Sequence, residues 1–123
     1  MSDQRRGQNI CDRTFAFAVR IVKLCRYLNK QPDIDKVLIK QLSRSGASIG
    51  ANVEEAQAGQ SDLDFISKYA IALKEARETT YWLRLLVAAE CVQADRVNNL
   101  IREASEIMRI LAAIIISAKT RQK

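Results

Sequence analysis

Apolar residues recur every three or four positions through four successive segments of this chain, and a single proline stands among them. That spacing is the period of an α-helix with one side turned to a core. With only four glycines in 123 residues, little interrupts regular structure, and the composition suits long helices rather than a turn-rich sheet. The length fits one domain with one continuous core.

The first helix is expected over residues 12–30. Phe17, Ala18, Ile21, Leu24, Cys25 and Leu28 share one arc, and Arg13, Arg20, Lys23, Arg26 and Lys30 lie opposite. Pro32 closes it, and Asp33 is placed to cap a second helix over residues 34–58. The stripe of that helix reads Ile34, Leu38, Leu42, Ser45, Ile49, Asn52, Val53 and Ala56, with Gly59 as its stop. Ser61 and Asp64 resemble a capping box opening a third helix, which runs to residue 89 and buries Phe65, Tyr69, Leu73, Ala76, Thr80, Leu83 and Val87. After a turn at 91–94, Val97, Leu100, Ile101, Ala104, Met108, Leu111 and Ile115 form the fourth stripe. Short connections make consecutive helices antiparallel neighbours, so the expected fold is all-α: one antiparallel up-down-up-down four-helix bundle over residues 1–123, with basic mobile tails at 1–8 and 119–123.

Two segments depart from a generic amphipathic pattern. Residues 42–58 place Ser45, Gly46, Gly50 and Asn52 among small apolar residues. Each glycine costs a helix about 1 kcal/mol relative to alanine, which a closely approaching backbone can offset, so these four are assigned to helix packing. A buried Asn52 needs amide partners, and its expected role is to hold helix register. In residues 65–86, Ile71, Glu75, Glu78, Trp82 and Leu85 lie off the expected core stripe. A solvent-facing tryptophan beside aliphatic side chains is typical of interfaces, so these five are assigned to an oligomer interface; the alternative is that this helix is buried on two sides inside its own bundle.

Charge is unevenly distributed. The net charge of +6 concentrates in residues 1–31 (+5) and 94–123 (+3), while 32–59 and 60–93 each hold −1. In an up-down bundle the first and fourth helices are adjacent, so Arg13, Arg20, Lys23, Arg26, Arg102 and Arg109 are candidates for one surface that neutralises phosphates without reading sequence. Solvated helix faces carry similar charge, so a protein scaffold is the alternative.

Enzyme readings find little support. The chain has no histidine, the commonest general base, and no phosphate-cradling glycine loop or nucleophile elbow. The pairs Glu75/Glu78 and Glu103/Glu106 place carboxylates on adjacent turns but lack a second ligand type. No catalytic residue, metal or cofactor is expected. Cys11, Cys25 and Cys91 are odd in number and without C-x-x-C spacing, which reads as reduced thiols in the cytoplasm. The start MSDQRRGQN has no apolar signal region, and the apolar run at 110–118 is too short to span a bilayer, so no membrane role is expected.

The run Arg44-Ser45-Gly46-Ala47-Ser48-Ile49-Gly50-Ala51-Asn52-Val53-Glu54-Glu55-Ala56-Gln57 resembles the four-helix-bundle family known as S23 or 23S rRNA intervening-sequence proteins. A second block, Phe65 followed by Ile71-Ala72-Leu73-Lys74-Glu75-Ala76-Arg77-Glu78-Thr79-Thr80-Tyr81-Trp82-Leu83, is similar to the same family, and the resemblance extends over residues 12–108. Ala56 departs from the glycine many relatives carry. The family also resembles the accessory variability determinant of diversity-generating retroelements. That resemblance implies a homo-oligomer, a ring of five copies, with a basic surface that binds RNA or DNA and a reverse transcriptase partner. The expected function is therefore a non-catalytic, oligomeric nucleic-acid-binding adaptor.

Overall fold

The computed structural model describes residues 2–59 and 61–122, with side chains from Ile10 onward. Four helices run through it: α1 (Ser2–Asn29), α2 (Lys36–Gln57), α3 (Asp62–Ala88) and α4 (Asn98–Gln122), with a short 3₁₀ turn at Ala94–Arg96 before α4. Among the described residues there is no strand. Each helix packs on its neighbours in sequence, and α4 returns to α1 through the least extensive of the four adjacent pairings. This is a four-helix bundle. The segments expected as tails carry helical backbone from Ser2 and as far as Gln122; Met1 and Lys123 lie outside the described residues.

Local chemistry sets the helix ends. Asp35, not Asp33, caps α2: its Oδ1 accepts from the N–H groups of Val37 at 3.0 Å and Leu38 at 3.3 Å. Asp33 instead takes a left-handed backbone with φ of 58°, tolerable for a short polar side chain, and reverses the chain after Pro32. Ser61 caps α3 as expected, its Oγ accepting from Asp64 N–H at 3.1 Å. Gly59 is not left-handed; α2 ends through Ala58, and a Cβ at Gly59 would lie 3.1 Å from the Ala56 carbonyl oxygen.

The core is continuous along the bundle. Ile10, Phe17, Ile21 and Leu28 of α1 meet Leu42, Ile49 and Val53 of α2, Tyr69, Leu83 and Leu86 of α3, and Ile107 and Leu111 of α4, all essentially inaccessible to solvent. Burying each such aliphatic side chain contributes about 1.5–3 kcal/mol. The stripe of α1 follows the expected register. In α3 the register shifts: Ala72, Thr79 and Leu86 are buried, while Leu73, Thr80 and Val87 lie half-buried at the flank. Similarly, Ile39 replaces Leu38 in the α2 core, and Ile107 outranks Ile101 and Met108 in α4.

Candidate functional site

Helices α1 and α4 meet along a seam fastened by charge. Arg13 donates two hydrogen bonds to the Glu103 carboxylate, Nε to Oε2 at 3.0 Å and Nη2 to Oε1 at 2.7 Å. The hydrogen bonds to Glu103 raise the Arg13 pKa further, so the guanidinium stays charged. A second clasp stands further along α1, where the Arg96 guanidinium lies 3.8 Å above the Tyr27 ring, a cation–π contact. Arg20, Lys23 and Arg26 are exposed on α1, and Arg102 and Arg109 are exposed on α4. Arg109 donates to Glu106 at 2.7 Å and Arg102 to Asn99. The six expected basic residues thus lie on the two expected helices, strung along the bundle, but Arg13 is a structural clasp before it is anything else.

Helix α1 also carries a feature that its core stripe does not account for. Phe15, Val19 and Val22 are 65%, 38% and 42% exposed, forming an apolar row at i, i+4 and i+7 on α1. Ile116 of α4 is equally bare at 66%. The signal was present: α1 carries two apolar stripes, and the one through Phe17, Ile21 and Leu24 accounts for the core alone.

The residues assigned to an oligomer interface on α3 are less outward than the helical wheel suggests. Glu75 and Glu78 both accept from Arg44 of α2, Glu75 at 3.2 Å. Trp82 and Leu85 are half-buried, and Trp82 packs against the core with its Nε1 donor left without a partner. Only Ile71 is exposed, at 39%. The physical reason is that α2 packs on this flank of α3 and its Arg44 reaches Glu75 and Glu78, so part of the arc that looks outward on a wheel lies beside the α2–α3 contact. The outward aromatic is Tyr81, 53% exposed and edge-on to Trp82 at 5.1 Å.

The packing residues of α2 act within the bundle. A Cβ at Gly46 would stand 2.8 Å from Ile21 Cγ2, and one at Gly50 3.3 Å from the Thr14 backbone, so both glycines admit α1. Ser45 and Thr79 share a buried hydroxyl–hydroxyl hydrogen bond of 2.9 Å between α2 and α3. Asn52 does not bridge helices; its amide donates to Ser48 O of its own helix at 2.8 Å.

Cys11, Cys25 and Cys91 are free thiols. Burial pushes the Cys25 thiol up to about 11, and its Sγ donates weakly to Ile39 O at 3.8 Å. Burial likewise raises Cys11, helped by Glu54 and Asp12, and raises the Tyr69 phenol against the opposing hydrogen bond from Gln57. Glu103 and Glu106 are each held by an arginine, as are Glu75 and Glu78, and no cluster of three or more metal-ligating side chains occurs among the described residues. No helix among them is long and apolar enough to cross a membrane.

Clefts open on the surface of the described residues. One of about 420 Å³ lies between the C-terminal half of α1 and the N-terminal half of α2, lined by Cys25, Asn29, Lys36, Ile39, Lys40, Ser43 and Arg44. Another of about 240 Å³ sits at the α2–α3 turn, where Gln57, Ser61 and Phe65 meet Arg121 of α4.

Comparison with known proteins places this geometry. No curated protein is matched. Among solved structures, the chain is similar to the crystal structure of a protein of unknown function from the S23 ribosomal protein family of Bacteroides thetaiotaomicron VPI-5482. The two are 43% identical with a TM-score of 0.85, over 89% of this chain and 97% of the other. The family model of the 23S rRNA-intervening sequence protein matches residues 6–113. The chain therefore belongs to the 23S rRNA-intervening sequence protein family.

Proposed function

We propose that this protein is a non-catalytic adaptor that assembles with copies of itself and binds the phosphate backbone of RNA or DNA in the cytoplasm. The observation that carries the reading is the exposed set Arg20, Lys23, Arg26, Arg102 and Arg109 on the two helices that share the Arg13–Glu103 seam. Cations on helix faces neutralise phosphates and release counterions without base readout. Anisotropy titrations with structured RNA and duplex DNA at low and moderate salt test it. Binding should weaken steeply as salt rises, and Arg20→Gln, Lys23→Gln, Arg102→Gln and Arg109→Gln together should reduce it at least tenfold. Absence of binding to either polymer at low salt overturns the reading.

A second reading rests on the apolar row of Phe15, Val19 and Val22, which suits protein better than phosphate. In this reading the chain is a protein–protein scaffold, and the row contacts either another copy, as in a ring of five, or a different protein such as a reverse transcriptase. Phe15→Glu, followed by light scattering, separates the cases. Smaller assemblies with unchanged nucleic-acid affinity put the row between copies and the basic residues on the polymer.

A further inference from the structure

The cleft between α1 and α2 has the chemistry of an anion site. Its cations are Lys36, Lys40 and Arg44, spaced at i, i+4 and i+8 on α2, and no carboxylate lines it. Arg44 is already committed to Glu75 and Glu78, whereas Lys36 and Lys40 make no ion pair among the described residues. Two like charges one helical turn apart repel. The first turn of α2 also holds no acidic residue, and Lys36 stands where the helix dipole disfavours a cation. The nearby Asp35 carboxylate spends its Oδ1 on the helix cap. Both unfavourable features are relieved by an anion seated between the lysines.

The neutral lining agrees. Asn29 of α1 offers an amide donor and Ser43 a hydroxyl from opposite walls, and Cys25 and Ile39 supply a largely buried floor. Compact ammonium groups with uncharged donors beside them suit a phosphate oxygen approached from several directions. The cleft volume of about 420 Å³ admits a backbone phosphate with its sugar and stays open to solvent.

We infer that this α1–α2 cleft seats a phosphate of the bound nucleic-acid backbone, held by Lys36 and Lys40 with Asn29 and Ser43. This rests on the nucleic-acid reading above and adds a contact point away from the α1–α4 seam.

The test compares K36Q/K40Q with the four-site variant at the seam and with the charge-retaining K36R/K40R, using the full chain and the same RNA and DNA probes. Expected is a loss of about tenfold or more for K36Q/K40Q, with the slope of log affinity against log salt smaller by about two. K36R/K40R should keep most of the binding. Full affinity and an unchanged slope in K36Q/K40Q, with loss in the seam variant, overturn the cleft while the nucleic-acid reading stands. If the unmodified protein binds neither polymer, that reading fails, and inorganic phosphate followed by amide NMR judges the cleft alone. Saturable shifts at Asn29, Lys36, Lys40 and Ser43 that vanish in K36Q/K40Q then keep it as a phosphate site; no shifts overturn it. Lys36 and Lys40 are exposed, and circular dichroism verifies that the variants fold.

Discussion

Single atoms decide how closely α1 and α2 approach. A Cβ at Gly46 would fall 2.8 Å from Ile21 Cγ2, on a β-branched side chain that is fully buried and cannot swing aside. Overpacking of this kind costs about 1–3 kcal/mol, and alanine returns about 1 kcal/mol in helix propensity. Gly46→Ala should therefore lower stability by up to roughly 2 kcal/mol in urea denaturation. Gly50→Ala should stay near neutral, because its Cβ would press at 3.3 Å on the Thr14 backbone, a smaller overlap that offsets the gain of about 1 kcal/mol in helix propensity. Cys25 sets a pH response. Its thiol is raised from 9.0 to about 11 by burial, so below pH 9 it is neutral in both folded and unfolded chains and the full stability is present. Between 9 and 11 the unfolded thiol ionises while the native one holds its proton, and stability falls by on the order of 2 kcal/mol. Cys11 and Tyr69 are raised too and act in the same direction. Denaturation curves at pH 8, 9, 10 and 11 should show this decline, and Cys25→Ala should flatten part of it.

Helices differ in how plainly the sequence announces them. In α1 a charged arc faces the stripe of Phe17, Ile21, Leu24 and Leu28, and periodicity reads the core correctly. In α3 apolar side chains surround most of the helix because it packs on both α2 and α4, so the wheel offers no single face, and Trp82 is misplaced as outward. The choice of Asp35 over Asp33 as cap was equally hidden, because two aspartates follow Pro32 and only backbone geometry selects between them. The α1–α2 cleft depends on how two helices are rotated against each other, which no single-helix pattern contains. The corrected position of Trp82 changes what its removal does. Trp82→Ala should cost about 2–4 kcal/mol of bundle stability, read by thermal melting, before any effect on assembly. Trp82→Phe should cost only about 1 kcal/mol, because the ring is kept and a buried donor without a partner is removed.

The whole molecule is built from neighbours in sequence. Three helix pairs joined by short turns form cheaply, and each brings its own apolar stripe into register with the next. The α1–α4 seam is different: Arg13 and Glu103 are separated by 90 residues, and their pairing is the least extensive in the bundle. Closing so long a stretch carries a larger entropy cost than any hairpin, repaid only after the other helices have docked. The basic residues of the proposed interface are divided between these two helices. A chain still emerging during synthesis, or one cut before α4, would present half a surface with its arginines on a helix that has no partner to orient it. Completion of the fold thus acts as a licence for the proposed α1–α4 surface alone: its two halves stand side by side only once the last helix has docked, whereas the α1–α2 cleft is complete with the first hairpin.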